Sequence, residues 1–137
     1  MVAVVAASIL ALTAGTMLWY GYLGWKRENE AVELQRDMGA AMDVLTRAIR
    51  SGTNMTFAAG PVFTVQFDSK PTASIFTSGN NLVYDPDTSV SGDQTALVNG
   101  RLRRFDISMN TNMVTVVLLL QTAQETLSNS VSISRRN

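Results

Sequence analysis

The chain has 137 residues, with 11 basic and 11 acidic side chains and neither histidine nor cysteine. Zero net charge argues against a nucleic-acid footprint, which shows as a basic excess clustered on one face. Without cysteine there are no disulfides or thiolate metal sites, and without histidine the commonest general base and metal ligand are both missing. Composition alone disfavours an enzyme.

Residues 1–25 (MVAVVAASILALTAGTMLWYGYLGW) carry no charge. At ~1.5 Å per residue a helix of this length reaches ~37 Å, against a bilayer core of ~30 Å. A cleaved signal would have a basic front and a shorter apolar stretch, and a soluble core helix rarely runs so far without a charge. The segment therefore reads as a membrane-spanning helix. Trp19, Tyr20, Tyr22 and Trp25 crowd its C-terminal end, where amphipathic rings favour the interface, and Lys26 and Arg27 follow as snorkelling anchors. Val2, Val5, Ile9, Leu12, Leu18, Trp19 and Leu23 are its expected contact residues, against lipid or against other copies. Gly15, Gly21 and Gly24 weaken a helix locally and let neighbours approach, so they are the candidates for local melting between Ser8 and Gly24 in an assembled state. Lys26 and Arg27 favour a cytoplasmic C-terminal flank, but Glu28 and Glu30 follow at once, and charge leaves the orientation open.

Residues 26–52 continue the helix in a different solvent. Ala31, Leu34, Met38, Ala41, Met42, Leu45, Ala48 and Ile49 fall at i, i+3, i+4, i+7 spacing, one apolar stripe. Glu33, Arg36, Asp37, Asp43, Arg47 and Arg50 occupy the other face, read as solvated, and Gly52 suits a C-terminal cap. Such a helix is far longer than a small globule needs, so its second half must lie on something apolar.

Residues 53–137 supply it as a β-rich domain. Strands are predicted at 62–67 (VFTVQF), 73–77, 82–85, 102–109 (LRRFDISM), 113–120 (MVTVVLLL) and 127–134 (LSNSVSIS). Ser78-Gly79-Asn80-Asn81 is a hairpin signal, and Asn110-Thr111-Asn112 turns the next pair. The run 113–120 is apolar on both faces, as a central strand would be, and 127–134 is edge-like. The expected fold is α+β, a long N-terminal helix lying along an antiparallel sheet.

Asp85, Asp87 and Asp93, with Thr88, Ser89 and Ser91, could offer oxygen ligands to Ca²⁺. Their spacing does not match the EF-hand loop, and an exposed turn has the same composition, so the solvated loop is preferred and no cofactor or metal is expected. Arg101, Arg103 and Arg104 are the one basic cluster beyond the membrane flank. Strand alternation puts Arg101 and Arg103 opposite Arg104, which weakens a phosphate-binding patch. Salt bridges to neighbouring subunits are preferred, and no nucleic acid is expected. Asn54-Met55-Thr56 matches a glycosylation acceptor too common to weigh. The seven methionines, Met38 and Met42 among them, read as core filler.

Taken in order, the segments resemble the type IV pilins and, more closely, the minor pseudopilins of type II secretion systems. VAVVAASILALTAG resembles the pilin transmembrane segment, and ELQRDMGAAMDVLTRAIRSG, residues 33–52, the pseudopilin amphipathic helix. MVTVVLLL, QETLSNSVSIS and the closing Arg135-Arg136-Asn137 resemble the minor pseudopilin C-terminus. The family's leader, its early glutamate and its mid-span proline are not found here. Met1 is accordingly expected to lie a few residues inside the mature chain. The resemblance implies a pilin-like structural subunit, held in the bacterial inner membrane by a single pass and then extracted into a periplasmic or extracellular helical filament. It also implies homo-oligomerisation, alongside other pilins, with an assembly ATPase and platform machinery as partners. The alternative is a low-copy tip subunit acting as adhesin or DNA-binding module. A membrane-anchored enzyme is a remote third.

Overall fold

The structure, a computed structural model, describes residues 2–58, 62–111 and 113–134. One helix, α1 (Val2–Ser51), runs 50 residues without a break, about 75 Å at ~1.5 Å per residue. The strands described after it are all antiparallel. β1 (Asn54–Ala58), β2 (Val62–Gln66), β3 (Ala73–Ser78), β4 (Asn81–Asp85) and β5 (Thr95–Val98) form one sheet in chain order, and β6 (Leu102–Asn110), β7 (Met113–Gln121) and β8 (Thr126–Ser134) form a second. The architecture is α+β and pilin-like, a long apolar N-terminal helix joined to antiparallel sheet.

Sequence periodicity placed six of these strands. It did not show β1 and β5, which are short and mixed in composition. β5 exists because it completes the edge of β4 and lies on the helix, a gain in tertiary contact that no local signal carries. The single sheet expected from the sequence is divided between β5 and β6. The two parts are stitched at the β3–β4 turn, where Leu102 N donates to Asn80 O at 2.9 Å and Gly100 N to Asn81 Oδ1 at 2.6 Å. Gly79, at φ +59, occupies the first loop position of that two-residue turn, the conformation a II′ hairpin demands of glycine. In the β6–β7 turn Asn112 lies outside the described residues. Thr111 beside it sits at φ +47, an unusual place for a β-branched side chain.

The core forms where the apolar stripe of α1 meets both sheets. Leu34, Met38, Ala41, Met42, Leu45, Ala48 and Ile49 are all buried, and Ala31 is half-buried at the edge. Phe63, Val65, Ile75, Leu82 and Val98 answer from the first sheet, and Val114, Val116, Leu118, Leu120 and Ile133 from the second. β7 is the central strand of its sheet, with alternate residues buried and the others half-covered. Each such aliphatic side chain contributes on the order of 1.5–3 kcal/mol through burial. Met38, Met42 and Met55 are in this core, as filler.

Two sequence readings are corrected here. Gly52 ends the helix, with its N–H donating to Ala48 O at 2.9 Å, but it is not left-handed. A Cβ at this position would stand 2.3 Å from Cγ1 of the fully buried Val65, so close approach is what requires glycine. The arginine cluster also departs from simple alternation. A bulge between Leu102 and Arg104 inserts Arg103, so that Arg103 and Arg104 are both exposed. Arg101 turns to its own helix. Its guanidinium bonds Asp37 Oδ2 at 2.9 Å and also the Glu33 carboxylate, while its carbonyl is held by Gln121 N at 2.8 Å. Glu33 and Asp37, read as merely solvated, therefore clamp the second sheet to the helix.

Gly52→Ala is expected to cost roughly 1–3 kcal/mol through overpacking against Val65, measurable as a lower denaturant midpoint for the full chain in detergent. Arg101→Ala is expected to cost on the order of 1 kcal/mol, because it leaves two carboxylates facing each other at i, i+4. In the same assay Arg47→Ala, which breaks the solvent-exposed pair with Asp43, should have a smaller effect.

Candidate functional surface

Among the described residues, none is seen to cover the first half of α1. Residues 3–29 are exposed all round the helix, with Leu12 at 69%, Leu18 at 76% and Trp19 at 63%. Mean hydropathy over the most apolar 18-residue window is 1.7, and none of that window is buried. The helix is long and apolar enough to cross a membrane. A globule rarely leaves so large an apolar surface to water, and surfaces of this kind mark interfaces. Val5, Ile9, Leu12, Leu18, Trp19 and Leu23 all lie on it. Val2 opens the helix, but its side chain falls outside the described residues.

The serine and threonine hydroxyls within this segment are satisfied locally. The Ser8 hydroxyl donates to Val4 O at 2.8 Å, Thr13 to Ile9 O at 3.0 Å and Thr16 to Thr13 O at 2.8 Å. Each hydroxyl is thereby prepared for an apolar surrounding, where an unmet donor would cost several kcal/mol. The glycines behave differently. A Cβ added at Gly15, Gly21 or Gly24 would meet no atom within 4 Å, and the helix runs continuously through all three. Among the described residues no contact requires glycine at these places. Gly15 does open a shallow hollow of about 470 Å³ beside Leu12, Trp19 and Tyr20, a shape that admits a side chain from outside.

The acidic loop shows what its own residues do with one another. Asp85 is buried and accepts from Asp87 N at 3.2 Å and from Gln94 Nε2 at 3.3 Å. Asp87 Oδ1 accepts from Ser89 N at 2.9 Å and Ser89 Oγ at 2.6 Å. Among the described residues, Asp85, Asp87 and Asp93 included, no group of three or more carboxylates is placed to hold a metal ion. Nearby, an open groove of about 480 Å³ runs between the end of α1 and the β4 end, lined by Arg47, Ser51, Phe67, Lys70, Tyr84 and Asp87 among others. Arg47 is turned away to Asp43, and burial with the adjacent Asp85 raises the Tyr84 phenol pKa. Of the basic cluster, Arg101 and Arg104 are engaged with carboxylates, and Arg103 alone among the three has no ion pair among the described residues. The cluster therefore offers phosphate less than its sequence implies.

Sequence reasoning found the exposed helix and missed the hydroxyl back-bonding and the clamp of Arg101, since both depend on three-dimensional reach. The i−4 spacing of Ser8 and Thr13 from their acceptors is the one local signal that was available. No protein-family profile, curated protein or solved structure matches this chain.

Hydrogen bonds from the Ser89 hydroxyl and then its amide favour the Asp87 carboxylate and lower its pKa below the ordinary value. The sign follows: the contribution is present above the unfolded aspartate value of about 3.9 and is lost as pH falls through the lower folded value. An NMR titration of the Ser89 amide should accordingly show its midpoint below that of a free aspartate, and Asp87→Asn should abolish the transition.

Proposed function

We propose that the protein is a structural, non-enzymatic subunit of a type IV pilus-like or type II secretion pseudopilus filament. Residues 1–25 hold it in the bacterial inner membrane before an ATPase-driven platform extracts it. One observation carries the reading. An apolar helix with no partner among the described residues continues without a break into a helix locked on a folded domain.

The physics suits two environments in turn. In lipid a helix satisfies its own backbone, which is why it can span. In a filament the same side chains can bury against copies of themselves, so assembly exchanges one apolar surrounding for another. Small residues let helices approach in such surroundings, which supplies the reason for Gly15, Gly21 and Gly24 that the single chain lacks. A glycine in a helix interior costs about 1 kcal/mol against alanine, so these positions are also where the helix would open on assembly. The sheet domain stays outside as the presented face, with homo-oligomers and other pilins as partners.

The test compares Leu12→Asp with Asp87→Ala, each expressed with its assembly machinery at matched protein levels, by counting surface filaments. A charge at Leu12 lies in the bilayer or the filament core and costs ~2.5–3.5 kcal/mol on insertion scales, so assembly should fail. Asp87→Ala should assemble like the parent. Survival of Leu12→Asp together with loss of Asp87→Ala would overturn the reading. Stoichiometry in the filaments then separates a repeating subunit from a tip subunit.

A further inference from the structure

The turn between β7 and β8 is bonded to the helix just beyond its apolar segment. Arg27, two residues beyond Trp25, is the first helix residue bonded to the domain, with Nε donating to Glu125 Oε1 at 2.7 Å. Residues 3–29 are all exposed, so neither sheet folds back along the apolar segment. At ~1.5 Å per residue Arg27 stands only ~3 Å along the axis from the last apolar ring. The interfacial layer beyond a ~30 Å hydrocarbon core is about 5–8 Å deep on each side. A helix that spans the bilayer through residue 25 therefore carries Arg27 into the headgroup layer, and the turn bonded to it, whose Glu125 also lies beside Ala31 and Gln35, stands at the outer edge of that layer.

The turn is chemically suited to that place. The Thr122 hydroxyl accepts from Glu125 N at 3.0 Å and from Gln124 N at 3.4 Å, and Thr122 N donates to Glu125 O at 2.8 Å, which fixes its shape. Its tip, Ala123 and Gln124, is exposed and uncharged. Its single charge, Glu125, is neutralised by Arg27, which removes the repulsion a bare carboxylate would meet from lipid phosphates. Lys26 stays exposed to meet those phosphates directly.

We propose that residues 122–125 form a second membrane contact, seated among phospholipid headgroups beside the span and setting the height at which the domain stands on the bilayer. This rests on the membrane-spanning reading of residues 1–25. The chain has no cysteine, so single substitutions give clean reporters. The full chain is reconstituted in vesicles of phosphatidylcholine and phosphatidylglycerol carrying a nitroxide on either the headgroup or the acyl chain. A fluorophore is placed at Gln124→Cys or Ala123→Cys, at Leu12→Cys within the span, and at Val90→Cys in the loop after Asp87. That loop lies beside Arg47 and Ser51, some twenty residues further along the helix, ~30 Å away.

The expected result is several-fold quenching of the turn reporters by headgroup nitroxide, none at Val90→Cys, and quenching of Leu12→Cys by acyl-chain nitroxide. Turn reporters that behave like Val90→Cys, with Leu12→Cys still quenched, overturn this contact and leave the span intact. An unquenched Leu12→Cys overturns the membrane reading itself, and the contact with it.

Discussion

Both sheets depend on one stripe of one helix. Neither the five-stranded nor the three-stranded meander has a partner sheet covering its inner face, and each buries its apolar side chains against Leu34 to Ile49. Antiparallel sheets hydrophobic on one face need such a second layer. The stripe must therefore be continuous over roughly four turns, and it is, with its seven innermost positions at or below 7% exposure. The absence of any side chain at Gly52 belongs to the same constraint, since Val65 comes up against the helix end there.

The polar ties around this stripe set direction more than strength. Arg101 reaches from the start of β6 to Glu33 and Asp37, and Arg27 reaches the β7–β8 turn. Partly exposed ion pairs contribute little each. Their placement matters because together they fix the second sheet along the helix axis, with its β7–β8 end toward the apolar segment. The bulge at Arg103 sharpens this by freeing Arg101 from the exposed pair that follows it. A rigid join results between a domain built for water and a helix end that is not.

That join explains why the apolar half stays bare. Among the described residues the domain leaves 3–25 exposed, and the serine and threonine hydroxyls of that segment bond their own helix. On the reading proposed above, lipid and then other copies bury that surface. The missing contacts at Gly15, Gly21 and Gly24 are consistent with such an external partner, because an isolated helix gains nothing from glycine there.

The sequence by itself determined the long helix, its change of solvent near Lys26, the buried stripe and six of the strands. Those features rest on local periodicity and on runs of one character, which neighbouring residues carry between them. The tertiary structure alone decided the rest. β1 and β5 form by pairing at the two edges of the first sheet, the division into two sheets follows the crossing from β5 to β6, and the arginine cluster splits at a bulge that alternation does not foresee. Glu33 and Asp37 read as solvent-facing until Arg101 arrives from a distant point in the chain, and Gly52 reads as a cap until Val65 is placed beside it. In each case the deciding contact joins residues far apart in sequence, and periodicity contains no record of it.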